Sequence, residues 1–247
     1  MRLLFPLPRN DALARDKAQS FIYFGKETPC VLRHDGNEYH PIFGPTIPVI
    51  PNTRVQGRFD LWTVRLLAVT LLVPPSDDSP TWTPIRIDMP NNGVRAILDT
   101  ASMNSTFSPT TIKSMCDRWF TVGDSDDEQT EQAHADRERF SDHDLVFTFE
   151  GTDGAPVDFR CDAAWFFCRL WEDKESRELF RWSHVRSSND DESDIVVLGM
   201  NFFWGAFVKF SAPYEGSDTV PSIQFAAQRA VVEGQKIHGP WDFTFAK

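Results

Sequence analysis

The apolar positions of this chain fall into short runs of β-branched and aromatic residues, separated by stretches rich in proline, glycine and acidic side chains. That pattern predicts a protein built mostly of strands. The first convincing run covers residues 20–24. Prolines at positions 29, 41, 45, 48 and 51 exclude a long helix between residues 28 and 58, because each lacks a backbone N–H and fixes φ. Residues 61–73 predict a strand long enough to bend or carry a bulge, and Pro74-Pro75-Ser76-Asp77-Asp78 then makes a loop. Residues 84–88 and 94–98 predict a pair of strands around the turn Pro90-Asn91-Asn92-Gly93, where Asn-Gly is a strong turn signal. Residues 145–149 and 157–160 predict a hairpin around Gly151-Thr152-Asp153-Gly154.

Residues 108–120 alone carry a clear helical period. Ser108 suits an N-cap, Pro109 suits the first helical position, and Ile112, Met115, Cys116 and Trp119 recur at i, i+3, i+4 and i+7. One helical turn is expected at residues 201–204, whereas residues 163–171 read equally well as strand or helix. Residues 124–144 are densely charged and read as a solvated loop or helix face, and residues 186–194 read as another acidic loop. The first 19 residues read as a linker-like segment, residues 20–227 as the folded lobe, and residues 228–247 as a tail without a strong pattern.

Composition narrows the function. A 247-residue chain with 41% hydrophobic residues, 21 Phe and 8 Trp can bury a large core. Its net charge of −11 argues against nucleic acid and against anionic membrane surfaces, both of which need a basic face. No apolar run reaches membrane-spanning length, so no membrane partner is expected. Leu3-Leu4-Phe5 is interrupted at once by Pro6 and Pro8, so no signal peptide is expected. The chain as it stands reads as cytoplasmic, unless it lacks its natural start.

The four cysteines, at 30, 116, 161 and 168, form no C-x-x-C pair, and the six histidines include no H-E-x-x-H. His134 and His143 flank charged segments and read as solvated. No metal and no cofactor are expected, since P-loop, G-x-S-x-G and dinucleotide fingerprints are missing from the sequence. Trp62, Trp119, Trp165, Trp171, Phe202, Phe203 and Trp204 read as core or packing surface. Asn104-Ser105-Thr106 has the pattern of a glycosylation sequon and reads as coincidental.

One stretch carries chemistry. In Gly93-Val94-Arg95-Ala96-Ile97-Leu98-Asp99-Thr100-Ala101-Ser102 an apolar strand runs directly into an acid. A carboxylate at the end of a buried strand is costly unless neighbours hydrogen-bond it. Thr100 and Ser102 carry suitable hydroxyls, and the N–H groups of Ala101 and Ser102 can add more. Such an acid is held for a purpose or capped for structure.

Ile97-Leu98-Asp99-Thr100-Ala101-Ser102 resembles the active-site signature of the pepsin-like aspartic peptidases, hydrophobic-hydrophobic-Asp-Thr-Gly-Ser/Thr. The order of other segments follows the same family. Residues 3–10 resemble the segment leading out of its first lobe. Phe21-Ile22-Tyr23-Phe24-Gly25-Lys26-Glu27-Thr28 resembles the strand and turn opening its second lobe, and Leu61-Trp62-Thr63-Val64-Arg65-Leu66 a later strand of that lobe. Ile195-Val196-Val197-Leu198-Gly199 is similar to the segment that passes behind the catalytic loop. Phe207-Val208-Lys209-Phe210 and Ser222-Ile223-Gln224-Phe225-Ala226 resemble the closing strands. The resemblance spans roughly residues 3–227 and is to the carboxy-terminal lobe alone. It implies a mostly β fold: a single lobe of the pepsin-like acid protease architecture, a double-psi-type β-barrel, with one or two short helices.

The resemblance also implies roles. Asp99 would be one acid of a dyad that shares a proton across a water and hydrolyses peptide bonds. Thr100 would bond to the opposite lobe's loop, Ser102 would bond the outer carboxylate oxygen, and Leu198 and Gly199 would back the loop, with Gly199 allowing close passage. The lobe of the family usually has a disulfide; Cys168 lies near one arm, but no Cys lies near the other, around residues 136–144, which favours free thiols and a reducing compartment. Family members are usually secreted or vacuolar.

Two features depart from the family. Ala101 stands where the signature has Gly, which is tolerated if its φ is negative and distorts the loop if not. A second catalytic Asp is missing, since Asp60, Asp88, Asp158 and Asp194 lack the context, and so is a tyrosine-bearing flap. Hydrolysis of a peptide or protein substrate is therefore expected only with a partner: a separate first lobe, or a second copy in a symmetric homodimer. The alternatives are a catalytically inactive, peptidase-derived binding module, or a gene fragment whose first half is not in this chain.

Overall fold

The long apolar run predicted at residues 61–73 is the axis of the largest sheet. The computed structural model describes residues 2–4, 21–23, 31–33, 38–39, 41–51, 59, 61–77, 79–119, 140, 142–172, 179–183, 185–188, 195–203, 205–213, 219–227 and 243–245. In chain order the first strands are β1 (Arg2–Leu4), β2 (Phe21–Tyr23), β3 (Val31–Arg33), β4 (Glu38–Tyr39), β5 (Ile47–Pro48) and β6 (Thr63–Val73). β7 (Thr83–Asp88), β8 (Val94–Leu98) and β9 (Ser105–Phe107) lead to the helix α1 (Pro109–Trp119). The hairpin β10 (Asp144–Glu150) and β11 (Pro156–Asp162) follows, then the short helix α2 (Ala163–Phe167). That helix runs directly into β12 (Cys168–Glu172), which pairs with β13 (Leu179–Ser183). The order closes with β14 (Val185–Ser187), β15 (Ile195–Leu198), α3 (Met200–Phe203), β16 (Ala206–Ser211), β17 (Ser222–Ala227) and β18 (Phe243–Phe245).

The architecture is mostly β, in mixed sheets that do not close into a barrel among the described residues. The large sheet has the order β11-β10-β6-β8-β15-β9-β14. A second sheet has the order β2-β1-β16-β17-β5, and β18-β3-β4 form a third. β6 is central: most of its side chains are apolar, and most of its residues are buried, on both faces of the strand. β10 lies along one edge of β6, and the register slips at Thr148/Phe149, where Leu67 of β6 is the extra residue of a bulge.

Several expectations need correction. β7 and β8 do not pair with each other. They lie end to end along the same edge of β6, with β7 against residues 68–73 and β8 against residues 63–66. Between them Asn91 and Asn92 both take left-handed backbone (φ 53° and 60°) and Gly93 has φ 128°, so the turn steps the chain along the edge instead of reversing it. The α-helices number three among the described residues, not one or two. Residues 163–171 are both helix and strand, in that order. Arg2–Leu4, within the segment read as linker, pairs with β2 and β16, and Phe243–Phe245, within the tail, pairs with β3. Residues 8–19, 124–139 and 189–194 lie outside the described residues.

The predicted helix is present, and its cap is the expected one. The Thr111 N–H donates to Ser108 Oγ at 3.2 Å, and the Ile112 N–H donates to the Ser108 carbonyl at 2.9 Å. Ile112, Met115 and Trp119 are buried, while Trp119 Nε1 and Arg118 Nη1 donate to the carbonyls of Ile85 and Arg86. α1 thereby covers the β7 edge of the sheet. Ser108→Ala should cost about 1 kcal/mol of stability by loss of the cap, read from urea denaturation midpoints.

Aromatic side chains fill the space between the two larger sheets. Phe202 of α3 meets Phe147 of β10, Phe159 of β11 and Phe225 of β17 at ring-centroid distances of 5.1, 5.5 and 5.3 Å. His143 is half-buried and packs edge-on against Phe140 at 5.3 Å, which corrects the reading of it as solvated. His134 lies outside the described residues.

Candidate functional site

β8 alternates buried and half-buried residues up to Leu98, whose N–H donates to the Trp62 carbonyl at 2.9 Å. There the strand ends, and the chain turns through Asp99, Thr100 and Ala101 before resuming as β9. β8 and β9 do not pair with each other. β15 lies between them, parallel to β8 with Leu198 opposite Leu98, and antiparallel to β9 with Val197 opposite Thr106. The loop that begins with Asp99 therefore arches over the end of β15.

Asp99 is half-buried, and each carboxylate oxygen has its own donor. The Ala101 N–H donates to Oδ1 at 2.9 Å, and the Ser102 hydroxyl donates to Oδ2 at 2.7 Å. Both are hydrogen bonds to a charged acceptor, the stronger kind, and together they fix the carboxylate plane. Of the two hydroxyls expected to hold the acid, only that of Ser102 does. The half-buried Thr100 hydroxyl makes no hydrogen bond to this chain among the described residues. Ala101 is exposed, and it is not among the residues with positive φ, which apart from glycine are Asn91 and Asn92 alone among the described residues. The methyl in place of a hydrogen is thus accommodated without left-handed strain.

Behind the loop the structure brings Leu198 and Gly199 against it. The Asp99 N–H donates to the Leu198 carbonyl at 3.0 Å, and the Met200 N–H donates to the Ser102 carbonyl at 2.7 Å. Gly199, between these two bonds, leaves no room for a side chain, since a Cβ there would lie 2.7 Å from the Ser102 carbonyl oxygen.

Two residues of the site were not singled out from sequence. The Gly199 N–H donates to Ser105 Oγ at 3.1 Å, and the Ser105 hydroxyl donates to Asn201 Oδ1 at 2.7 Å. From sequence, Ser105 reads as part of a sequon, and Asn201 only as the start of a helical turn. Both are fully buried.

Around the loop the surface is partly apolar. Met103 on the loop is 50% exposed, and Leu61, next to the residue whose carbonyl holds Leu98, is 55% exposed. Other acids with sequence positions considered for a dyad are engaged elsewhere: Asp88 with Arg86 at 2.6 Å, and Asp158 with the Thr148 hydroxyl at 2.7 Å. Asp60 and Asp194 lie outside the described residues. No group of three or more His, Cys, Asp or Glu side chains suited to a metal occurs among the described residues. Cys116 and Cys161 are not disulfide-bonded, and burial, with the neighbouring Asp117 carboxylate second, pushes the Cys116 thiol above its ordinary pKa. Cys30 and the Cys168 side chain lie outside the described residues. No helix among the described residues is long and apolar enough to cross a membrane.

No protein-family model matches the chain, and no curated protein matches it.

Proposed function

We propose that this chain is a single lobe of the pepsin-like acid protease architecture, contributing Asp99 to an aspartic dyad completed by a partner lobe or a second copy. The observation that carries the reading is the carboxylate of Asp99, held through both oxygens by Ala101 and Ser102 on a loop backed by Gly199. A carboxylate so fixed still has lone pairs open toward solvent, where a water can sit. A second acid facing it shares one proton, because two like charges at that distance do not both ionise. The ionised member then takes a proton from the attacking water, and the protonated member gives one to the scissile group. The unengaged Thr100 hydroxyl suits a bond across to the facing loop, and Met103 and Leu61 offer apolar surface for the same partner.

That apolar surface also favours a second reading, a module that binds a protein or peptide without cleaving it. Peptide cleavage at acidic pH separates the two. The expected result is cleavage that rises steeply with chain concentration, or on adding a first-lobe partner, that a pepstatin-type inhibitor blocks and that Asp99→Asn abolishes. Cleavage unchanged by Asp99→Asn removes the site assignment. A chain that captures a partner and stays inert under all these conditions is the binding module.

A further inference from the structure

Ser105 is 0% exposed and Asn201 is 1% exposed. Buried polar groups are tolerated when bonded, and these two are bonded in series. Asn201 Nδ2 donates to the Phe166 carbonyl at 2.8 Å. Because that carbonyl can only accept, the amide nitrogen of Asn201 must face it and Oδ1 must face Ser105. The single proton of the Ser105 hydroxyl is then committed to Asn201 at 2.7 Å, which leaves an Oγ lone pair for the Gly199 N–H at 3.1 Å. The direction of every bond follows from the α2 carbonyl at one end. At the other end stands the glycine pressed against the back of the Asp99 loop.

We infer that Ser105 and Asn201 are positioning residues for Asp99, acting through the backbone of Gly199. The relay sets the orientation of the Gly199 peptide, and the groups on either side of that residue hold the loop at two points. The Leu198 carbonyl accepts from Asp99, and the Met200 N–H donates to Ser102, whose hydroxyl in turn bonds the carboxylate. Two apolar side chains of equal volume would fill the same space, but they would leave the buried Gly199 N–H without its acceptor and the Phe166 carbonyl without this donor. Only polar partners give the Gly199 N–H a fixed direction. The inference relies on the proposed function for what the loop is for, but the placement of the loop is measured without catalysis.

The test is amide hydrogen exchange in the full chain, read by NMR at Asp99, Ala101 and Met200. Ser105→Ala leaves the Gly199 N–H buried without an acceptor, so exchange at the three amides should rise roughly tenfold or more. Ser105→Thr, which keeps the hydroxyl, should restore slow exchange. Ile223→Val, in β17 of the other sheet, is the control for general loss of stability and should leave the three amides unchanged relative to one another and to the rest of the large sheet. If Ser105→Ala speeds them no more than this control does, the inference is overturned. Should Ser105→Ala fail to fold, Ser105→Cys keeps the shape and weakens the bonds: faster exchange at the three amides supports the relay, and wild-type exchange overturns it. Because the readout is the resting chain, a silent peptidase assay leaves this result standing, and an active one does not substitute for it.

Discussion

Gly199→Ala should lose about 3 kcal/mol or more of stability and displace the Asp99 loop, a cost at or beyond the upper end of ordinary core overpacking. A Cβ at this position would lie 2.6 Å from the Asn104 carbonyl carbon and 2.7 Å from the Ser102 carbonyl oxygen. These are backbone atoms, so no side-chain rotation relieves the clash. Either β15 slides or the loop lifts. β15 is paired with β8 over residues 195–198 and with β9 on its other side, so sliding would break both ladders. The loop has fewer ties and is the part that moves. The glycine is required here for space and not for conformation, since the positive-φ glycines among the described residues are Gly93 and Gly154. Gly205→Ala is the informative contrast. Its Cβ would also approach closely, at 2.8 Å, but to the side-chain Cβ of Cys161. Urea denaturation of both variants should show the larger loss for Gly199→Ala, together with perturbed backbone shifts at Asp99 and Ala101. Wild-type stability for Gly199→Ala would mean that β15 does not pass behind the loop.

Where the signal was local, the sequence could be read directly. Asp99 stood out because an uncompensated acid after an apolar strand needs donors within a few residues, and Ser102 is one. α1 was readable because its cap, its proline and its apolar period agree, and the β10–β11 hairpin because its glycine-rich turn sits between alternating runs. What was not readable depends on residues far apart in the chain. β7 and β8 look like a hairpin until β6, long enough to serve both, takes them in line on one edge. Asn201 is only the start of a helical turn until Ser105, 96 residues earlier, supplies its partner. Thr100 was expected as a local donor to Asp99, but the Ala101 N–H occupies that oxygen and leaves the hydroxyl unengaged. Periodicity carries no information about such pairings.

Phe202→Ala should be the most damaging single truncation, at about 3–5 kcal/mol, the range for removing a fully buried aromatic ring. Phe202 has no solvent exposure, and its ring meets Phe147 edge-on at 90° while also contacting Phe149, Phe159, Phe203 and Phe225. Apart from Phe203 of the same turn, those partners come from β10, β11 and β17, so the cavity left behind is walled by both large sheets and cannot collapse by moving one element. Phe202 also lies in the single helical turn that begins after Gly199, and its ring is what anchors that turn to the core. Loosening it therefore frees Met200 and Asn201, one of which bonds the loop and the other its supporting serine. Met103→Ala is the matching control at the loop itself. Its side chain is half exposed, and its truncation should change stability by no more than about 0.5 kcal/mol. Denaturant midpoints at unchanged m-value separate the two variants. A loss below about 1 kcal/mol for Phe202→Ala would contradict the aromatic core as described. The expected asymmetry has a physical origin: the acid sits on a loop that adds little to stability, and the residues that hold it still are drawn from the part of the core that adds most.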